Sequence, residues 1–170
     1  MKLLVVSDNH GDESSLEELI YLYEDEIDLW LHCGDSEFSN THNIWETYKT
    51  VNGNMDRRNE FPEHLVESMN DETFIVVHGH KHRVKFSFEP MAELAKENNA
   101  KIVFYGHTHI PKVDKEDGIY FINPGSIRKP RGPINVGSYA IYEKTENCEY
   151  ISFYDWNHNK IEDLSQSLNI

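Results

Sequence analysis

The chain has 170 residues, with 16 Lys and Arg against 30 Asp and Glu, for a formal net charge of −14. That length suits a single domain able to bury a real core. The acidity disfavours stable binding of long DNA or RNA, because that affinity rests on Lys and Arg neutralising phosphates.

The chain opens with Met1-Lys2-Leu3-Leu4-Val5-Val6, which reads as a strand covered on both faces and has no signal-peptide cleavage site. Cytoplasmic residence is therefore the default expectation. Ser14 or Ser15 can cap a helix running to about Glu26, with Leu16, Leu19, Ile20 and Tyr23 on one face. Leu29–His32 is the next buried strand, and this strand–helix–strand rhythm predicts a parallel, layered α/β core. Cys33 follows it and reads as a small buried apolar residue; with only Cys148 besides, no disulfide framework is expected.

A short helix is expected from about Asn40 to Tyr48, then a strand at Thr50-Val51-Asn52. Leu65–Ser68 and Thr73–His78 flank Met69-Asn70-Asp71-Glu72 and predict a hairpin. A helix starts at Pro90 and runs to about Asn98, and Lys101–Tyr105 is another buried strand. Ile119–Asn123, Ser138–Glu143 and Tyr150–Asp155 are short strands joined by turns, so the second half is expected to be mainly antiparallel. These elements make a domain of residues 1–156, followed by a polar tail, 157–170, expected to be poorly ordered. The apolar runs are strand-sized, as in Phe74-Ile75-Val76-Val77, so no membrane association is expected.

Metal-ligand residue types stand just behind these strands: Asp8-Asn9-His10, Gly34-Asp35, Gly53-Asn54, His78-Gly79-His80 and Gly106-His107-Thr108-His109. Open α/β sheets bind ligands at the carboxyl ends of their strands, so groups this far apart in sequence can converge. Singly, each piece has a plain reading: Gly-Asp and Gly-Asn as turns, His78 as a strand-end hydrogen-bonding residue. Asp8 with His10, and His107 with His109, lie two apart, a spacing that puts both side chains of a pair on one side of extended chain.

Together the groups suit two metal ions. One would be held by Asp8, His10, Asp35 and His109, and the other by Asp35, Asn54, His78 and His107, with Asp35 bridging. Two dications carry four positive charges and the two carboxylates return two, which leaves attraction for a hydroxide and a phosphate oxygen. Paired metals about 3.5–4 Å apart acidify bridging water and clamp attacking and leaving oxygens. Mixed imidazole and carboxylate ligation suits divalent transition metals: Mn first, with Ni, Zn, Fe or Co as alternatives.

In this order the set resembles the calcineurin-like metallophosphoesterase superfamily. The short chain, His78-Gly79-His80 and Asn123-Pro124-Gly125-Ser126 are most similar to its small bacterial and archaeal phosphodiesterase branch. The resemblance spans Met1 to about Asp155. It implies a four-layer α/β (in part α+β) sandwich, two mixed sheets flanked by helices, with the metals at the sheet edge. It also implies a phosphoester hydrolase, most simply a phosphodiesterase, using a metal-bridging hydroxide, and the ligand assignment above agrees with the family's pattern.

Many members carry a His that protonates the leaving group between the Asn and Asp of Gly-Asn-His-Asp; here Met55 stands there, and a thioether cannot donate a proton. Diesters with good leaving groups are the expected substrates. Asp35, Asn54 and His80 are the candidate catalytic residues. Asn9, His80 and Arg128 are candidate phosphate contacts, with Asn9 equally suited to a turn, and Lys81, His82 and Arg57 weaker candidates. Asp56 is expected to hydrogen-bond a ligand residue. Asn123 or Ser126 could lie close to the site, and the loops Ser36–Asn40 and Lys81–Glu89 to shape specificity. Trp30 and Trp45 read as packing residues, and exposed strand edges permit a homodimer. A metal-stabilised interaction scaffold, as in the retromer's small subunit, is the alternative from another class.

Overall fold

A computed structural model describes residues 1–169. Five strands in the first half and six in the second build two mixed sheets flanked by two helices. In chain order the elements are β1 (Lys2–Val6), α1 (Glu13–Tyr23), β2 (Leu29–His32), a 3₁₀ turn (Asn43–Glu46), β3 (Tyr48–Thr50), β4 (His64–Met69) and β5 (Glu72–Val77). Then come α2 (Glu89–Glu97), β6 (Ile102–Tyr105), β7 (Lys112–Glu116), β8 (Ile119–Asn123), β9 (Ser138–Lys144), β10 (Glu149–Asp155) and β11 (Gln166–Leu168). The first sheet runs β11-β10-β9-β1-β2-β3 and the second β4-β5-β6-β8-β7.

The period-2 alternation of strands explains the layers. Leu3, Val5, Leu29 and Leu31 point inward and meet Phe74, Val76, Ile102 and Phe104 of the other sheet. Leu4, Val6 and Trp30 point the other way, onto Leu16 and Leu19 of α1. Ile75, Val77 and Val103 pack on Met91 and Ala95 of α2. Both faces of the central strands are therefore covered, which is why they read as unbroken apolar runs. The four-layer sandwich expected from the resemblance is present, with β1–β2 and β5–β6 parallel as the strand–helix–strand units require. Cys33 is buried in the central layer, where burial pushes its thiol pKa well up, so it serves as an apolar filler.

Several local expectations change. The segment after Asn40 forms one 3₁₀ turn, and the strand expected at 50–52 lies earlier, at Tyr48–Thr50. Lys112–Glu116 is an unforeseen edge strand, antiparallel to β8. The tail from 157 is ordered where described: β11 pairs with β10, Leu168 is buried, and Ile161 and Leu164 pack on the central core. Its last residue, Ile170, lies outside the described residues. No helix among those described is long and apolar enough to cross a membrane.

Candidate metal centre

The parallel ladders run on past the strand ends and hold the loops in place. Asp8 N–H donates to Gly34 O (3.1 Å), His10 N–H to Asp35 O (3.1 Å) and Gly106 N–H to His78 O (3.1 Å). The chain then turns sharply. Asp8, His10, Asp35, His107 and His109 all sit at positive φ, between 46° and 67°. Such left-handed conformations cost non-glycine residues energy and cluster where function overrides local preference. The preceding glycines answer a different demand, close approach. A β-carbon on Gly53 would collide with the Asp35 backbone and carboxylate, and one on Gly106 with Ser7 Oγ and Asp8 Oδ2.

Asp56 gathers two of these loops. Its Oδ2 accepts from Asp35 N–H (2.9 Å) and Gly53 N–H (2.8 Å), and its Oδ1 from Ser36 Oγ (3.0 Å) and Glu37 N–H (2.7 Å). Asp56 thus meets the candidate ligand Asp35 through the Asp35 backbone N–H and not its carboxylate. The Asn123–Ser126 turn holds the third loop: Asn123 Nδ2 donates to Gly106 O (2.9 Å), and Ser126 Oγ to Asp8 O (2.7 Å).

Three imidazoles are oriented alike. Nδ1–H of His78 donates to Cys33 O (2.7 Å), that of His109 to Lys129 O (2.6 Å) and that of His10 to Glu37 Oε1 (2.7 Å). Each Nε2 is then left as a lone pair facing inward. His109 Nε2 lies 3.1 Å from Asp8 Oδ1 and 3.4 Å from His10 Nε2. His78 Nε2 lies 3.3 Å from Asp35 Oδ2 and 3.2 Å from Asn54 Oδ1. Asp8 Oδ1 is fully buried and has no hydrogen-bond partner. Lone pairs pointed at one another in a buried site repel unless a positive charge lies among them. The donor set therefore fits divalent cations.

Protonated imidazoles can supply the same positive charge: against the effect of burial, Asp35 and Asp8 push the His78 pKa up, and the carboxylates respond in turn. Burial raises the Asp35 pKa, but His78 and the Met55 N–H more than reverse it, to about 2. Burial likewise opposes ionisation of Asp8, and His109, His78 and Ser7 outweigh it, so its pKa is lowered. Burial, reinforced by the charge on His78, lowers His107 to about 4, so it is a neutral donor at neutral pH.

Two groups are close enough to share an ion: Asp8, His10 and His109, and Asp8, Asp35 and His78. Asp8 belongs to both, whereas the sequence pointed to Asp35 as the shared carboxylate. Asn54 and His107 border the second group, the His107 ring 5.2 Å from that of His78. His80 flanks them, with its ring 5.2 Å from His78.

The expected phosphate contacts fare unevenly. Asn9 is fully buried; its amide donates to Asp12 O and accepts from His32 Nε2–H (3.0 Å), which gives it the turn role of the two considered. Arg128 is exposed and 3.8 Å from Asp12 Oδ2, and Lys81 is paired with Glu63. Sequence reasoning missed Glu37 and His32. Glu37 carried no motif, and His32 sits inside a strand where it reads as one more inward residue.

Comparison with known proteins follows the same lines. A sequence model described as the calcineurin-like phosphoesterase superfamily domain matches residues 1–147. The chain is 36% identical to the probable metallophosphoesterase YsnB of Bacillus subtilis over 170 residues, all of both chains. It is 28% identical over 145 residues to the phosphodiesterase MJ0936 of Methanocaldococcus jannaschii, covering 74% of this chain and 83% of that one. A Streptococcus pneumoniae TIGR4 structure, described as a predicted phosphoesterase, matches with TM-score 0.92 at 36% identity, over 98% of this chain and 96% of that one. Vps29 of Cryptosporidium parvum shares the fold at TM-score 0.77 and 21% identity, over 99% of this chain and 98% of that one.

Proposed function

This chain belongs to the calcineurin-like phosphoesterase superfamily, and on that premise we propose that it is a dinuclear metal-dependent phosphodiesterase acting on small phosphoesters. The observation that carries the reading is the convergence of three inward Nε2 lone pairs on Asp8 and Asp35, with Asp8 Oδ1 buried and unpartnered. Two divalent ions bound there, Mn first, would supply Lewis-acid charge and a water acidified toward neutrality. Asp8, His10 and His109 would hold one, and Asp35, Asn54, His78 and His107 the other, with Asp8 and Asp35 lying between them.

The residues' own tasks follow from their surroundings. Asp56 and the Asn123–Ser126 turn fix the loops, so the donors are preorganised. His80 stands at the rim beside His78 and His107, placed to donate to a phosphate oxygen. Met55 offers no proton to a departing alcohol and is 55% exposed, which favours diesters whose alcohols leave unaided. The relative that is a phosphodiesterase supports the same choice over monoesters. The net charge of −14 argues against a nuclease acting on long chains.

The test is hydrolysis of bis(p-nitrophenyl) phosphate by purified protein with added Mn. The expected result is turnover that Asp35→Ala reduces by at least about a thousandfold, since the variant loses both charge and ligand. Full activity in Asp35→Ala would sink the proposal. If Mn, Ni and Zn forms were all inert on diesters, monoesters and cyclic nucleotides, the scaffold reading would replace it.

A further inference from the structure

A cleft opens directly off the metal centre. Asn54 and His80, which border that centre, form the cleft's inner end, and Phe61, Arg58 and the Lys81–Glu63 pair line the rest. The wall is stiff. Asn52 Oδ1 accepts from Phe61 N–H (3.1 Å), Asn52 N–H donates to Pro62 O (2.7 Å), and the Phe61 ring packs edge-on against Trp45 (5.1 Å). Asp56 anchors the inner end with four hydrogen bonds, so its carboxylate is fully engaged.

The formal charges lining the cleft balance, Arg58 and Lys81 against Asp56 and Glu63, but Asp56 is buried under its four hydrogen bonds and is not free to pair with Arg58. Lys81 and Glu63 neutralise each other, while Arg58 makes no ion pair among the described residues. An unpaired guanidinium in a cleft that Asn54 and His80 also line stands out in a chain of net charge −14.

We propose that this cleft is a specificity subsite: it receives the ester arm that stays on phosphorus and prefers an arm ending in an anionic group, a carboxylate or a second phosphate, which Arg58 binds. Phe61 supplies an apolar wall for the arm's carbon chain. The proposal rests on the phosphodiesterase reading and deepens it by naming the substrate class.

The experiment uses three alkyl p-nitrophenyl phosphates with a common leaving group, their arms ending in carboxylate, hydroxyl or trimethylammonium. With the Mn-loaded protein, kcat/KM is expected to be about fivefold higher for the carboxylate arm than for the hydroxyl arm, and lowest for the cationic arm. Arg58→Ala is expected to bring the carboxylate-to-hydroxyl ratio to about one, and Arg58→Lys to retain part of it. Lys101→Ala, at an exposed lysine that does not line the cleft, should leave the ratio as in the parent. Equal rates for the three arms in the parent, or a ratio that survives Arg58→Ala, would overturn the subsite while leaving the phosphodiesterase intact. Failure to hydrolyse any of the three would instead strike the phosphodiesterase reading, and the subsite with it.

Discussion

Glu37 and His32 show how single side chains tune the centre without touching substrate. Of the three aligned imidazoles, two rest on backbone carbonyls and only His10 leans on a carboxylate. Glu37→Gln keeps the shape but removes the charge that makes His10 a stronger donor. Divalent-metal affinity, measured by competition with a chromophoric chelator, is expected to fall by roughly tenfold to a hundredfold; unchanged affinity would refute the role. His32 is fully buried, accepts from Gly34 N–H (3.0 Å) and donates to Asn9. Burial, only partly offset by Asp56 and Asp8, lowers its pKa from 6.5 to about 4. The unfolded chain therefore binds a proton that the native chain refuses between those values. His32 stability is complete above pH 6.5 and is lost as pH falls toward 4, on the order of 3 kcal/mol in total. In urea titrations of chelated protein, His32→Asn should show a shallower loss than the parent across that window. Parallel curves for the two proteins would remove His32 as the source. Both residues escaped sequence reading for a physical reason. Their partners lie 27 and 23 positions away and become neighbours only when the loops fold together.

At the scale of elements, the candidate ligand residues were legible because each strand ends in a tight turn that demands particular residues. Gly53 and Gly106 mark close approach, and positive φ at Asp8, Asp35 and His107 marks the turn. Gly106→Ala puts a methyl group against Ser7 Oγ, Asp8 Oδ2 and the Cys33 carbonyl. The loop carrying His107 and His109 must then shift. A stability loss of about 1–3 kcal/mol is expected, together with a metal affinity reduced more than in Glu37→Gln. An Ala variant that bound metal like the parent would show that the close approach is unimportant. The central strands were legible for a complementary reason, since two covered faces require unbroken apolar runs. β7 was not, because Lys112–Glu116 is an edge strand whose only apolar residue is Val113. The 3₁₀ turn was mistaken for a longer helix because Ile44 and Trp45 pack on neighbouring elements, not on a helical stripe of their own.

For the molecule as a whole, the tail decides how the two sheets are joined on the side away from β3. Its composition is polar, and its few apolar residues, Ile161, Leu164, Leu168 and Ile170, are too sparse to announce a strand. Yet Leu168 is only 5% exposed, within the core between the sheets. Ser165 Oγ accepts from Phe153 N–H (3.0 Å), tying the tail to β10. Asn169 N–H donates to the Tyr120 hydroxyl (2.8 Å) and Asn169 O accepts from Lys115 Nζ (2.7 Å), tying it to β8 and β7. The tail thus bridges the first sheet to the second. Deleting residues 157–170 exposes Leu168's pocket and the edge of β10, at a cost of about 3–5 kcal/mol. In a chain of this size that corresponds to a melting temperature lower by roughly 10 °C. The metal donors come from the ends of β1, β2, β3, β5 and β6, so metal affinity of the shortened chain below its transition should stay within about twofold of the parent. Calorimetry and chelator competition on the same sample separate these effects. An unchanged melting temperature would mean that the tail lies on the core without holding it. A lost metal site with an unchanged melting temperature would mean that its influence reaches the loops instead.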